Sequence, residues 1–126
     1  LMPWSFQADT PIYTQLVARL QEQIVSGAYP PGSKLPSVRD LAADAGINPN
    51  TVQRAFAELE RLGLIYTQRT SGKFVTEDAA AIDAARRALA EGQTRQYLAA
   101  MSALGFDRAA LITFLNQMEE TKDANS

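Results

Sequence analysis

A mainly α-helical fold with one small β-hairpin is the fold class that the sequence predicts. Two short amphipathic segments lie on either side of a glycine turn at Gly46, and β-prone residues follow them over 64–76. Two helices joined by such a turn form a helix-turn-helix, and a hairpin directly after them makes it a winged helix-turn-helix. Helical composition returns over residues 78–121, which predicts two further helices.

The first helix is expected to begin at Thr10-Pro11, where a capping hydroxyl precedes a proline in the first turn. Apolar residues then recur every four positions, as they do on one face of a helix: Ile12, Leu16, Leu20 and Ile24. Residues 1–10 lack this period and predict an N-terminal arm. Its Trp4 and Phe6 could dock on a partner subunit, but packing on the first helix is the favoured interpretation.

The two helices of the helix-turn-helix begin at capping residues. Ser37 precedes a helix with an acid at its third position, and Asn48-Pro49 opens the next helix with a cap followed by proline. Gly46 ends the former and Gly63 the latter. The inward face of the later helix is expected to hold Val52, Ala55, Phe56, Leu59 and Leu62.

After that helix the chain changes period and then becomes helical again. Residues 64–67 and 73–76 are β-prone runs around a Ser-Gly tip, which predicts a hairpin. The alanine-rich stretch 78–104 predicts a helix that Gly92 interrupts or bends, and Asp107 is expected to cap a last helix.

The composition excludes several classes of chemistry. The chain has no Cys and no His, so disulfides, thiolate catalysis and a Ser-His-Asp site are impossible, and zinc or copper sites are not expected. We therefore expect no enzyme activity, no cofactor and no metal site. The net charge is −2, but residues 34–76 hold six basic and four acidic residues, whereas 77–126 hold five and eight. This asymmetry fits a DNA-facing front without itself indicating DNA.

The sequence carries no pattern that points to a membrane. No apolar run approaches the roughly 20 residues of a membrane-spanning helix. The first 25 residues also lack a basic segment followed by an apolar core, as a signal peptide would have. We therefore expect a cytoplasmic protein.

The outward face of the third helix is the candidate for reading DNA sequence. Asn and Gln pair with adenine, Arg with guanine, and Thr can contact a thymine methyl in the major groove. Such residues are concentrated at the start of this helix: Asn48, Asn50, Thr51, Gln53 and Arg54. The alternative is the solvated polar face that every surface helix has.

Two further places could contact the DNA backbone or the minor groove. Ser37 and Arg39 open the second helix, whose free N–H groups suit a phosphate; the alternatives are a plain cap and a surface ion pair of Arg39 with Asp40 or Asp44. The hairpin tip could lie along the minor groove, or be an ordinary charged turn. Its candidates are Arg69, Ser71, Gly72 and Lys73.

The last two helices predict a homodimer. Two helices with apolar stripes cannot bury both stripes alone, and pairing with a second copy would cover these stripes. The dimer would then present two DNA-binding domains to a pseudo-palindromic operator. The alternative is that both helices fold back on the winged domain of the same chain. The candidate dimerisation residues are Ile82, Leu89, Tyr97, Met101, Leu104, Leu111, Leu115 and Met118.

The domain organisation follows from these assignments. The winged helix-turn-helix precedes a two-helix C-terminal dimerisation domain. The predicted divisions are an N-terminal arm over 1–10, a DNA-binding domain over 11–77, a helical dimerisation domain over 78–121 and a flexible tail over 122–126.

Several short motifs, in order over residues 11–76, resemble the DNA-binding domain of GntR-family bacterial regulators. They are Pro11-Ile12-Tyr13-x-Gln15-Leu16, Pro31-Gly32-x-x-Leu35-Pro36-Ser37-x-Arg39-x-Leu41-Ala42, Gly46-Ile47-Asn48-Pro49-Asn50-Thr51-Val52, Leu59-x-x-Leu62-Gly63-Leu64-Ile65 and Gly72-x-Phe74-Val75. The resemblance implies DNA contacts from Arg39, from Asn50, Thr51 and Gln53, and from Ser71 and Gly72. The chain departs from the commonest pattern at Pro49 and Gln53, where many members have arginine, so its operator preference should differ.

The Asn-Pro-Asn-Thr-Val segment resembles the YtrA-like branch of the family. That resemblance implies two C-terminal helices that mainly dimerise, in place of a large effector-binding domain, and repression of operons that encode ABC transporters. A small-molecule effector is unknown. The competing function is a winged-helix module for protein–protein interaction without specific DNA readout.

Overall fold

The computed structural model describes residues 4–118 and has the mainly α-helical fold with one hairpin that the sequence predicts. Residues 1–3 of the predicted arm and the predicted tail over 122–126 lie outside the described residues. The chain divides into two compact units after Arg86. The elements are α1 (Ile12–Val25), α2 (Val38–Ala45), α3 (Pro49–Arg61), β1 (Ile65–Gln68), β2 (Gly72–Val75), α4 (Ala79–Ala103) and α5 (Arg108–Gln117).

The core of the first unit forms where α1 packs against α3. The buried stripe of α1, at most 1% exposed, is Leu16, Leu20 and Ile24. The facing stripe of α3, also at most 1% exposed, is Val52, Ala55, Phe56 and Leu59. Burial of each large side chain stabilises the fold by about 1.5–3 kcal/mol. The prediction was wrong for Leu62, which is 39% exposed because α3 ends at Arg61 and the chain turns at Gly63.

The predicted caps are present on α2 and α3 but not on α1. Ser37 Oγ accepts a hydrogen bond from the Asp40 amide, and Asn48 Oδ1 accepts one from the Asn50 amide. The prediction that Thr10 caps α1 was wrong, because Pro11 is the N-cap residue and makes no side-chain capping bond. The extended backbone of Pro11, with ψ 138°, delays the helix by one residue.

The hairpin is joined to the segment that precedes α2. Strands β1 and β2 pair antiparallel, with Ile65 opposite Val75. The Leu35 amide donates to the Lys73 carbonyl, and the Val75 amide donates to the Ser33 carbonyl, both at 2.9 Å. These bonds act as a short third strand that fixes the hairpin to the body of the first unit.

Helix α4 runs without a break from Ala79 to Ala103, so Gly92 does not interrupt it. Its first two turns belong to the first unit. Ile82 is 6% exposed within the core there, and Ala85 packs against that core. Arg86 also donates a hydrogen bond to the Val25 carbonyl at 3.0 Å.

The second unit contains the rest of α4 and α5. Asp107 caps α5 as predicted, since its Oδ1 accepts from the Ala110 amide at 2.8 Å. The rings of Phe106 and Phe114 pack with their centroids 5.1 Å apart. No single helix within residues 4–118 is long and apolar enough to cross a membrane. Taken together, α4 and α5 have the length and apolar composition of a membrane-spanning segment, but the chain bends by 97° between them.

Candidate nucleic-acid interface

The start of α3 presents a polar face on the side opposite its buried stripe. Asn50, Gln53 and Arg54 are exposed, and Thr51 is half-buried. This arrangement follows from the helical period, because the neighbouring apolar positions are fixed in the core. Asn48 is also exposed, but its Oδ1 accepts the capping hydrogen bond from the Asn50 amide. Its side-chain NH₂ group can therefore donate to another partner.

Arg54 is held over an aromatic ring that sequence reasoning did not identify. Its Cζ lies 3.8 Å from the centroid of the Tyr13 ring, which is a close cation–π contact. Both residues line a cleft of about 350 Å³ together with Asn50 and Thr51. The structure therefore brings three of the predicted reading residues together beside the start of α1. Periodicity could not find Tyr13, because the contact depends on how α1 packs against α3.

The two candidate residues of α2 lie at its start. Ser37 is the N-cap, and Arg39 is exposed. The alternative ion pair of Arg39 with Asp40 or Asp44 does not form among residues 4–118. Asp44 Oδ2 instead accepts a hydrogen bond from Trp4 Nε1 at 2.9 Å. The Arg39 guanidinium is consequently available to a ligand outside the fold.

The tip of the hairpin holds the remaining candidates. Arg69 and Ser71 are exposed. Gly72 adopts a φ of +112°, a backbone conformation that residues other than glycine rarely adopt. Lys73 differs from these residues, because its ammonium is bound by side chains of the same unit. It lies 3.0 Å from Glu60 Oε1 and 2.7 Å from Thr67 Oγ1.

Glu60 therefore connects the hairpin to α3. Its Oε2 also accepts from Thr67 Oγ1 at 2.8 Å. The hydrogen bond from Thr67, and next that from Lys73, lower the pKa of the Glu60 carboxyl. The other acid late in α3, Glu58, pairs with Arg61. Both acids that could repel DNA are thus paired with cations, and sequence reasoning had missed these pairs.

The candidate dimerisation residues fall into two groups. Ile82 and Leu111 are buried, Ile82 in the core of the first unit, and Leu89 and Met101 are half-buried. The others are exposed by 44–71%: Tyr97, Leu104, Leu115 and Met118. Ile112, which was not among the predicted dimerisation residues, is 53% exposed as well. Residues 4–118 contain no group of three acidic side chains that could hold a metal ion.

The chain matches the family model for bacterial regulatory proteins of the gntR family over residues 12–75. Among curated relatives, it is 34% identical to the HTH-type transcriptional regulator YhcF of Bacillus subtilis over 115 residues, 91% of this chain and 95% of YhcF. It is 47% identical to the HTH-type transcriptional repressor YtrA of the same organism over 73 residues, 58% of this chain and 56% of YtrA.

Solved structures give the same result. A GntR family transcriptional regulator from Listeria monocytogenes is 40% identical with a TM-score of 0.82, and the match covers 90% of this chain and all of that one. The structure of AraR(DBD) in complex with operator ORX1 is 26% identical with a TM-score of 0.52, and that match covers 60% of this chain and 93% of AraR(DBD).

The contact of Glu60 with the hairpin predicts a pH-dependent stability. Because the pKa of Glu60 is lower in the folded state than in the unfolded state, the contact stabilises the fold above the ordinary carboxyl range. That contribution is lost as the pH falls through the lower folded pKa. Glu60 is more than one-third exposed, so the contribution is at most about 1 kcal/mol.

The measurement is urea unfolding of the wild type and Glu60→Gln at pH 7 and pH 3. We expect the wild type to be more stable than Glu60→Gln at pH 7 and this difference to be smaller at pH 3. Glu91→Gln, which alters an exposed pair with Arg95, is the matched control and should change little at either pH. An equal difference between wild type and Glu60→Gln at both pH values would contradict this assignment.

Proposed function

Because the chain belongs to the GntR family of DNA-binding transcriptional regulators, we propose that it is a repressor that binds a pseudo-palindromic operator as a homodimer. The observation that carries the proposal is the exposed polar face at the start of α3, formed by Asn50, Gln53 and Arg54. This face has neither apolar nor acidic side chains, which disfavours the alternative of a protein-interaction module. The relative YtrA is named a transcriptional repressor, which supports repression over activation as the proposed effect.

In this proposal α3 enters the major groove and reads base edges. Gln53 carries an amide that can pair with adenine, and Arg54 a guanidinium that can pair with guanine. Asn48, Asn50 and Thr51 complete the set at the end of the helix that approaches the bases. The Tyr13 ring limits the rotation of the Arg54 side chain, so less conformational entropy is lost when Arg54 binds.

The other candidates contact the DNA outside the major groove. Ser37 and Arg39 bind a backbone phosphate with the free amides at the start of α2. Arg69, Ser71 and Gly72 approach the minor groove. Lys73 also faces the DNA, and since Glu60 and Thr67 take two of its three N–H donors, one remains for a phosphate. The contact with Glu60 keeps the tip in position relative to α3.

The second unit supplies the dimer interface. Within residues 87–118 only Leu111 is buried, so this unit has almost no core of its own. Five large apolar side chains are exposed there: Tyr97, Leu104, Ile112, Leu115 and Met118. An apolar surface of this kind is covered in a stable protein, and a second copy provides an identical surface to cover it.

The resemblance to YtrA-like regulators suggests which genes are regulated, and binding to DNA suggests where in the cell the protein acts. Repression of an operon for an ABC transporter is what the resemblance to YtrA-like regulators implies, and we propose it as the target. A DNA-bound regulator acts where the chromosome is, which places the protein in the cytoplasm. The proposal requires no cofactor and no enzymatic activity.

The DNA-binding role is tested by titrating the wild type, Arg39→Ala and Gln53→Ala against promoter DNA of the protein's own operon at two salt concentrations. We expect dyad-symmetric protection by the wild type. Gln53→Ala should cost about 1–3 kcal/mol and relax specificity at one base pair, whereas Arg39→Ala should weaken binding to all sequences and lower the salt slope by about 1.

The matched control is Arg95→Ala, which removes an exposed arginine from α4 in the second unit, where it pairs with Glu91. It should bind the promoter within about twofold of the wild type, since its loss touches no proposed contact. Wild-type affinity no greater than that for random DNA, at both salt concentrations, would overturn the proposal.

The positioning role of Tyr13 gives a second prediction. Tyr13→Leu removes the ring face beneath Arg54 and should weaken operator binding about fivefold, whereas Tyr13→Phe retains the face and should remain within about twofold of the wild type. In an Arg54→Ala background, Tyr13→Leu should have no further effect. Equal losses for Tyr13→Leu in both backgrounds would show that Tyr13 acts independently of Arg54.

The dimer is tested by sedimentation of the wild type, Leu115→Glu and Gln93→Glu. Burial of a leucine stabilises by about 1.5–3 kcal/mol, and symmetry places the change twice in the interface, so Leu115→Glu should weaken dimerisation by about tenfold or more. Gln93→Glu adds the same charge at an exposed polar position of α4 and should remain dimeric. A monomeric wild type at micromolar concentration would contradict the dimer.

A further inference from the structure

A cavity of about 780 Å³ lies in the first unit, between the end of α1, the turn that follows and α2. Its size falls within the range of about 300–1,000 Å³ that small-molecule sites occupy. None of the residues proposed to contact DNA lines it. The side chains that matter for its chemistry are Trp4, Tyr29 and Leu41, which form apolar walls, and the carboxylates Glu22, Asp40 and Asp44.

The wall formed by Trp4 is held in place by its neighbours. Its Nε1 donates to Asp44 Oδ2 at 2.9 Å, and its ring stacks on Phe6 with centroids 5.9 Å apart. Arg19 Cζ lies 5.0 Å from the centroid of the Trp4 ring. Gln15 holds the next part of the arm through hydrogen bonds to both the amide and the carbonyl of Gln7. The cavity is thus formed before any ligand binds, which lowers the entropic cost of binding.

The electrostatic character of the cavity is negative. Glu22, Asp40 and Asp44 are exposed at its edge, and within residues 4–118 no lysine or arginine forms an ion pair with them. Arg19 contacts Trp4 but does not line the cavity. Burial, and second the charge of Asp44, raise the pKa of the Tyr29 hydroxyl, so the field of Asp44 reaches the wall of the cavity.

We propose that this cavity binds a lipophilic organic cation. The apolar body of the ligand would lie against Trp4, Tyr29 and Leu41, and its positive charge would face the three carboxylates. Within the described part of the chain the carboxylates have no ion-pair partner and attract a cation, while the apolar walls exclude a strongly hydrated ion, so the two together select for such a molecule. The same carboxylates repel phosphate, so nucleic acid does not fit the cavity.

The position of the cavity connects it to α2. Asp40 and Asp44 belong to this helix, which Ser37 caps and whose first turn holds Arg39. A bound cation would therefore contact the helix that we propose to hold the DNA backbone. This connection rests on the proposed function, whereas binding of the cation does not.

Trp4 is the single tryptophan of the chain, so its fluorescence reports directly on the cavity. The experiment titrates the full chain, without DNA, with tetraphenylphosphonium and with tetraphenylborate, two ions of nearly the same shape and opposite charge. We expect a saturable fluorescence change with the phosphonium, and binding of the borate that is weaker by about tenfold or more. Equal affinities for the two ions would overturn the proposal.

Variants locate the binding in the cavity. The combined variant Glu22→Gln, Asp40→Asn and Asp44→Asn removes the charges while keeping an oxygen that can accept from Trp4, and it should bind the phosphonium about tenfold more weakly. Asp9→Asn, in the same arm but outside the cavity, is the matched control and should bind as the wild type does. Unchanged phosphonium affinity in a combined variant with wild-type circular dichroism would also overturn the proposal. Loss of DNA binding alone would test the proposed function and leave this result untouched.

Discussion

The packing of α1 against α3 is the contact on which the rest of the first unit depends. Leu20 and Phe56, one from each helix, are almost completely removed from solvent. Because a helix that buries one face must expose the opposite one, this packing fixes which side of α3 points outward. It also brings Tyr13 beneath Arg54, so the same apolar contact that stabilises the unit orients a side chain on its surface.

The hairpin and α2 are attached to this pair of helices by different forces. Backbone hydrogen bonds join Leu35, just before α2, to β2, and an ion pair joins Lys73 of β2 to Glu60 of α3. The backbone bonds fix register and the ion pair fixes the approach of the hairpin to α3. The elements that carry the candidate DNA contacts are therefore fixed to one framework, as simultaneous binding to several parts of a duplex requires.

The second unit is organised differently from the first. Its local structure is well specified, with Asp107 at the start of α5 and the paired rings of Phe106 and Phe114. Yet the large side chains of α5 are mostly exposed, since two helices offer too little surface to enclose a core. Local order without a core is the state expected of a segment that is completed by association.

The sequence by itself determined what depends on near neighbours along the chain: the order and type of the elements, the caps at Ser37 and Asn48, and the inward face of α3, because these follow from periodicity and from bonds that span two or three residues. The chemistry of the residues at the helix starts and the hairpin tip indicated the candidate DNA contacts, and the family motifs supported several of them. Only the tertiary structure decided that Ile82 lies in the core and that Lys73 pairs with Glu60, thirteen residues away. It also decided that Trp4 closes a cavity by bonding to a residue forty positions away. Such contacts depend on how elements distant in sequence pack together, and no local pattern of residues encodes that packing.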